Sequence, residues 1–181
     1  MARLPYAALD TPDVQPLVQR IVAERGSVLH LYQMLLHSPP LAEGWLGMMT
    51  AVRQRFALPG ELRELVILRI AQLNHAPYEA DQHRPLALRE GLAPAQLDAL
   101  DAWRDSDCFT PLQREVLALA DGMTRDVQVE SALIESLRCR LGERQMVELV
   151  ATIASYNMVS RFLEALQIHS DDRPSHATSQ R

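Results

Sequence analysis

Residues 61–83 read ELRELVILRIAQLNHAPYEADQH, and their pattern indicates the fold more clearly than any other segment. In residues 61–73 apolar side chains cover much of the circumference of a helix, a pattern typical of a central, buried helix. Residues 74–77 (NHAP) break this pattern, and Pro77 suits the first turn of a new helix. Because the connection between the two helices is short, we expect them to pack antiparallel.

Residues that start and end helices recur on both sides of this predicted hairpin. Five of the predicted helices start at a proline (Pro12, Pro39, Pro77, Pro94 and Pro111), and glycines such as Gly26 and Gly91 mark the ends. No alternating run of β-branched residues suggests a strand. The sequence therefore predicts an all-α fold of about eight or nine helices with a central antiparallel helical hairpin at 61–91. The predicted helices span residues 12–25, 27–35, 39–56, 61–73, 77–90, 94–103, 111–121, 129–141 and 142–168.

The chain length suits one domain. Its 181 residues are 48% hydrophobic but only 5% aromatic, which allows a sizeable core of packed helices. We expect a single domain over residues 1–169. The polar residues 170–181 are expected to form a disordered tail.

Charge and composition exclude several classes of protein. The net charge is −5, so no basic surface is expected for nucleic acid or an anionic membrane. All 18 basic residues are arginine, which excludes a Schiff base on lysine. No segment approaches the ~18 uncharged apolar residues of a membrane span, and the N-terminus lacks a secretory apolar region. The two cysteines, Cys108 and Cys139, fit no metal or redox spacing and are expected to be free thiols in a cytoplasmic protein.

The hairpin places three residues together that can move protons. Glu79 and His83 are four positions apart on one helix, so they share a face. An antiparallel partner helix brings Glu64 against that face. Burial and the proximity of two carboxylates would raise the pKa of one of them, which gives the poised donor and acceptor that general acid–base catalysis needs.

Each of these residues also has a structural explanation. Glu79 would be the third residue of its helix, where a carboxylate favours the helix dipole and can close a capping box. Glu64 can be a first-turn carboxylate at a surface edge, and His83 an ordinary histidine bonded to Glu79. His75, Glu79 and His83 also follow a spacing that can present three metal ligands, but His75 precedes Pro77 and is expected outside the helix. We therefore expect no metal and no cofactor.

The sequence resembles the carboxymuconolactone decarboxylase / alkylhydroperoxidase family. The resemblance is carried by the run LRELVILRIA at 62–71, by YEADQH at 78–83 and by Gly91-Leu92. In the peroxidase branch, a glutamate and a histidine relay protons to a Cys-x-x-Cys pair. The resemblance places these relay residues at Glu64 and His83, and the two cysteine positions at Ala76 and Glu79. The chain is therefore similar to a branch that lacks the cysteine pair.

What survives the loss of the thiols is the proton relay. We expect a cofactor-independent enzyme that performs decarboxylation, isomerisation or lactone chemistry on a small organic acid, with Glu79 and His83 as the acid–base pair. Glu64 would orient His83, and Tyr78 would donate a hydrogen bond to the substrate. Arg69 or Arg84 would pair with the substrate carboxylate.

Two other functions stay open. The family by itself implies an alkylhydroperoxidase or peroxiredoxin type of antioxidant oxidoreductase. The chain can also be a non-catalytic protein that only binds a small ligand. The resemblance further implies a homo-oligomer, a trimer or a hexamer.

Overall fold

The computed structural model describes residues 2–172, and the regular secondary structure of that part of the chain consists of helices without a β-strand. The all-α prediction and the predicted number of helices are confirmed. The predicted tail lies for the most part at residues 173–181, outside the described residues. The helices are α1 (Gln15–Arg25), α2 (His30–Leu35), α3 (Pro39–Thr50), α4 (Gly60–Leu73), α5 (Pro77–Arg89), α6 (Pro94–Ala99), α7 (Pro111–Arg125) and α8 (Ser131–Leu166).

The chain divides into two compact units. The first contains the described residues up to Arg55 together with those from Ala165 onward, and the second is Phe56–Glu164. The expected single domain over residues 1–169 stays a prediction.

In the first unit, α3 packs against both α1 and α2. α1 ends at Gly26, whose φ of 81° lies in the left-handed region that glycine adopts without strain. The helix begins three residues later than predicted, because residues 12–14 form a turn. α3 begins at Pro39 as expected and continues as a π-helical turn over Ala51–Arg55.

The second unit is built around α4, which packs against α5 and α7. The apolar side chains of α4 are almost entirely buried, as its sequence predicted. α5 begins at Pro77 and continues through Pro85 to Arg89, and its contacts with α4 have an antiparallel register: Arg63 binds Glu90, while the helix ends near residues 73 and 77 are joined by a short turn. The predicted antiparallel hairpin is therefore present.

The remaining elements of this unit differ from the predicted boundaries. α6 ends at Ala99, and Trp103–Asp105 form a separate 3₁₀ turn. α7 continues to Arg125, four residues beyond the predicted end. α8 is one long segment with non-helical backbone at Gly142 (φ 75°, ψ 168°), the point at which two helices were predicted to meet.

Within residues 2–172, none of the helices has the length and apolar character that a membrane-spanning helix needs.

Candidate functional site

Glu64 and His83 form a buried pair across the α4–α5 hairpin. Their side chains come together because Glu64 lies in the second turn of α4 and His83 lies in the middle of the antiparallel α5. Nδ1 of His83 is 2.6 Å from Oε2 of Glu64, and the two residues are only 6% and 1% exposed. Since a carboxylate oxygen can only accept, Nδ1 is the donor, and this leaves Nε2 as the nitrogen that can take up a proton.

A third residue keeps Glu64 ionised. Nε of Arg63 donates to the other oxygen of Glu64, Oε1, at 3.1 Å. Burial acts to raise the pKa of the Glu64 carboxyl, but the hydrogen bond and the electrostatic attraction of His83, followed by the charge and hydrogen bond of Arg63, outweigh it, and the pKa lies below its usual value. Glu64 is therefore a carboxylate that orients the His83 ring.

Glu79 has the opposite electrostatic character. Its side chain is 2% exposed, and the Ser160 hydroxyl of α8 donates to its Oε2. Within the described part of the chain, its Oε1 is buried without a hydrogen-bond partner. Burial raises the pKa of Glu79 to about 8; the hydrogen bond from Ser160 acts against this rise, and the nearby charge of Glu164 adds to it. At neutral pH Glu79 is therefore a neutral carboxylic acid that can donate a proton.

One turn of α8 contacts both residues of α5. The His83 ring meets Tyr156 edge to face, with ring centroids 5.0 Å apart, and Glu79 binds Ser160 one helical turn further along. The Ser160 hydroxyl also lies 2.9 Å from the backbone oxygen of Tyr156. Glu79 and His83 are therefore presented side by side to the same turn, Tyr156 to Ser160, of an antiparallel helix.

All four site residues predicted from the sequence are buried in the structure. Glu64 and His83 are in direct contact, Glu79 is bound to Ser160, and Tyr78 is 4% exposed in the first turn of α5. The roles assigned to the four residues stay predictions.

Ser160 and its neighbours on α8 were not named as site residues. Ser160 contacts Glu79 across 81 positions of sequence. No rule of sequence spacing predicts a contact between residues so far apart. The one feature of the sequence that pointed to Ser160 was a small polar residue among the apolar residues of its helix.

The capping explanation for Glu79 does not describe its contacts. The N-cap of α5 is Ala76, which has no side chain that can cap the helix, and no side-chain cap hydrogen bond forms there. The Glu79 carboxyl instead binds Ser160 of α8. Glu79 nevertheless lies in the first turn of α5, as predicted.

The two arginines expected to bind a substrate carboxylate are engaged elsewhere. Arg69 is 2% exposed and makes a two-point ion pair with the buried Asp121 of α7, with Nε–Oδ1 and Nη2–Oδ2 distances of 2.6 and 3.2 Å. Arg104 also binds Asp121, at 2.6 Å. Arg84 pairs with Asp98 at an exposed position. Both arginines are therefore already paired away from Glu64, Glu79 and His83, which together form the carboxyl–imidazole group. The expectation that Arg69 or Arg84 binds a substrate carboxylate has to be corrected.

The three-ligand arrangement suggested by spacing does not form. His75 is exposed and lies before α5, with a φ of 53°. Across residues 2–172 there is no group of three or more histidine, cysteine, aspartate or glutamate side chains that could hold a metal ion. Cys108 and Cys139 are free and exposed.

The side chains of Glu64, Glu79 and His83 are all buried. Three surface grooves have volumes of about 590, 470 and 110 Å³, and residues other than Glu64, Glu79 and His83 line them. The 110 Å³ groove lies on another side of α5, at Ala80 and Arg84. None of these three grooves therefore gives direct access to Glu64, Glu79 or His83.

Comparison with known protein sequences gives two matches. The model of the carboxymuconolactone decarboxylase family matches residues 39–122, which include all four predicted site residues. The chain is also 28% identical over 106 residues to the uncharacterized protein YdfG of Bacillus subtilis, an alignment that covers 58% of this chain and 72% of that protein.

Two solved structures share the fold. One is the alkylhydroperoxidase AhpD core of an uncharacterized peroxidase-related protein from Ralstonia eutropha, with a TM-score of 0.79, 19% identity, and 94% of this chain and 93% of that chain covered. The other is the debrominase Bmp8 in complex with 2,3,4-tribromopyrrole, with a TM-score of 0.74, 19% identity, and coverage of 90% and 88%. These structures show that the chain has the AhpD-like helical fold, and residues 39–122, which contain the Glu64–His83 pair, match the model of the carboxymuconolactone decarboxylase family.

Proposed function

We propose that the chain is an enzyme that performs general acid–base chemistry on a small organic molecule: decarboxylation, isomerisation or lactone chemistry. In this proposal Glu79 donates a proton and His83, oriented by Glu64, accepts one. The observation that carries it is a buried carboxyl with a raised pKa beside a buried histidine–carboxylate pair, both presented to one turn of α8.

Glu79 and His83 have complementary roles in this proposal, because Glu79 holds a proton and His83 can accept one. Neutral Glu79 has an Oε1 that none of residues 2–172 hydrogen-bonds, and a proton on that atom can pass to a substrate oxygen or carbon. Nε2 of His83 takes a proton from the substrate, and the negative charge of Glu64 stabilises the imidazolium that results. One proton enters the substrate and one leaves, so an isomerisation by this route needs no further reactant.

The position of Glu79 weakens the antioxidant alternative. By resemblance, Ala76 and Glu79 occupy the places of the redox thiols, and neither side chain can form a disulfide. The two cysteines that the chain does have are exposed and lie outside the carboxyl–imidazole group. The substrate we expect is small, and an organic acid would have to bind without Arg69 and Arg84, because both are already paired.

The proposal is tested with Glu79→Gln, His83→Gln and Glu64→Gln. The matched control is Asp81→Asn, an exposed carboxylate on the same helix. Turnover is screened by mass spectrometry with lactones, β-keto acids and unsaturated carbonyl compounds, and proton exchange into each compound is followed by NMR in D₂O. We expect the Glu79 and His83 variants to lose about 10²- to 10⁴-fold in kcat and the control to keep wild-type activity.

The pH profile is a second measurement. If Glu79 is the acid, activity falls as pH rises through about 8, where its carboxyl ionises. Wild-type turnover in both Glu79→Gln and His83→Gln would contradict the proposal. Binding of a compound by the wild type without turnover or proton exchange would favour a non-catalytic binding protein.

A further inference from the structure

The groove of about 590 Å³ lies where α7 ends and α8 begins, away from the carboxyl–imidazole group. Its walls are Arg104 of the 3₁₀ turn, one face of α7 from Ala118 to Arg125, most of the connecting residues 126–130 and the first turn of α8. We call it the α7–α8 groove. Its volume lies in the range of sites that hold a whole small molecule.

Two arginines in this groove have hydrogen-bond donors that the protein does not use. The buried carboxylate of Asp121 already accepts two hydrogen bonds from Arg69 and one from Nη1 of Arg104. Arg125 is 3.9 Å from this carboxylate, and its guanidinium makes no hydrogen bond within residues 2–172. The guanidinium of Arg104 is held 4.2 Å from the centre of the Trp103 ring. Arg104 and Arg125 therefore offer donors that suit the two oxygens of a carboxylate.

The connection between α7 and α8 adds two acidic side chains to the same groove. Asp126 and Glu130 both line it, and across the described residues neither has an ion pair or a side-chain hydrogen bond. Val127, between them, has a φ of 66°. A β-branched residue rarely adopts this conformation, and it persists only where the surrounding structure imposes it. The fold therefore holds two acidic groups at the groove at a cost in backbone strain.

The charges around the groove balance. Counting Arg69, which lies behind Asp121, three arginines accompany three acids, so no excess positive charge favours a phosphate group or another net anion. Ala118, Val129 and Leu133 are half-buried and add apolar surface to the groove. A ligand that satisfies all of these groups carries a carboxylate, an ammonium group and an apolar chain.

We propose that the α7–α8 groove binds a free amino acid with an apolar side chain. Arg104 and Arg125 bind its carboxylate, and Asp126 and Glu130 bind its ammonium group. The side chain of the ligand packs against the apolar part of the groove. This site is separate from the carboxyl–imidazole group, and it does not depend on the proposed function.

Binding is measured by NMR on the full-length protein labelled with ¹⁵N. The protein is titrated with L-leucine, L-methionine and L-phenylalanine, and for at least one of them we expect saturable shifts of the amide signals of Gly122, Val129 and Leu133. The amide of the amino acid that binds lacks the carboxylate, and its N-acetyl derivative lacks the ammonium group. We expect each derivative to bind about tenfold more weakly, or less well still.

Two variants test the charged groups one at a time. Arg125→Gln and Glu130→Gln each remove one exposed charge from the groove, and each is expected to weaken binding of the amino acid by about tenfold. The matched controls are Arg138→Gln and Glu143→Gln, which remove exposed charges from α8 outside the groove. Both controls are expected to keep the affinity of the wild type.

The outcomes are decisive in either direction. The absence of saturable shifts with all three amino acids overturns the proposal, as does an N-acetyl derivative that binds as tightly as the amino acid itself. Binding that persists in Arg125→Gln and Glu130→Gln but disappears in Glu79→Gln would place the ligand at the carboxyl–imidazole group and would also overturn it. Since no turnover is measured, each of these failures leaves the proposed function standing.

Discussion

At Glu79, folding changes how strongly a side chain holds a proton. The carboxyl is taken out of water and placed near a second carboxyl, with one serine hydroxyl as its hydrogen-bond donor. By resemblance, a redox thiol would stand at this position. Here the same position at the start of a helix holds an acid whose pKa is raised, and in the proposed function this acid supplies protons rather than electrons.

This raised pKa has a measurable effect on stability. The folded state binds the Glu79 proton up to about pH 8, whereas an unfolded glutamate releases it near its ordinary value of 4.5. Its contribution to stability is therefore greatest below pH 4.5, is lost progressively as pH rises to about 8, and stays lost above it. At pH 9, Glu79→Gln should unfold at higher denaturant than the wild type, by on the order of 3 kcal/mol.

The check is a series of urea unfolding curves at pH 5, 7 and 9. Glu143→Gln, which is exposed, is the control and is expected to follow the wild type at each pH. Equal differences between Glu79→Gln and the wild type at all three pH values would show that Glu79 does not ionise with a raised pKa in the folded state.

The residues of the site differed in how well they could be predicted. The pairing of Glu64 with His83 followed from local spacing, because a short connection forces two helices to pack antiparallel. Ser160, Tyr156 and Glu164 come from a helix about eighty positions away, and their approach depends on how α8 docks. Arg69 was misjudged for a related reason: its buried partner Asp121 lies 52 positions away, on α7.

At the scale of elements, local backbone chemistry predicted the starts of helices better than their ends. The prolines at 39, 77, 94 and 111 each stand at the first position of a helix. Thr110 also forms the capping box with Gln113 that fixes the start of α7. α7 outlasts its predicted end because Asp121 points inward to Arg69, so a polar residue there does not mark a surface turn.

The break in α8 offers a test of one element. Gly142 has φ 75° and ψ 168°, a conformation that residues with a Cβ rarely adopt, although an added Cβ would meet no atom within 4 Å. Gly142→Ala is therefore expected to destabilise the protein through backbone strain alone, by about 1–3 kcal/mol.

The matched control is Gly44→Ala in α3, where an added Cβ also meets no atom within 4 Å and the backbone is helical. That substitution is expected to stabilise by about 0.5–1 kcal/mol. Denaturant unfolding measures both changes. A Gly142→Ala variant as stable as the wild type would show that the break in α8 does not depend on glycine.

For the whole molecule, the amino-acid composition correctly predicted the fold class and excluded a membrane-spanning helix. A helix-forming sequence with few aromatic residues produced an all-helical fold, and the described residues contain no membrane-spanning helix. The trimer or hexamer, the cytoplasmic location and the absence of a cofactor stay predictions. They depend on surfaces and partners that periodicity does not encode.

The thiols give a test of the oxidoreductase alternative for the whole protein. Cys108→Ser/Cys139→Ser removes both thiols from exposed positions. We expect any hydroperoxide consumption by the wild type to be low and the double variant to be unchanged in acid–base turnover, because the carboxyl–imidazole group contains no sulfur. Peroxide and substrate assays on the same preparations measure both. Thiol-dependent peroxide turnover that disappears in the double variant would support the antioxidant function instead.

The Arg69–Asp121 ion pair has a consequence for the behaviour of the protein in alkali. Guanidinium groups keep their charge far above pH 8, and this chain has no lysine to lose its own. The Arg69–Asp121 ion pair between α4 and α7 therefore persists at alkaline pH. Under the same conditions the Glu79 carboxyl ionises and places a buried negative charge between α5 and α8. We therefore expect alkaline unfolding of this unit to begin with the separation of α5 from α8. The packing of α4 against α7 should be lost last.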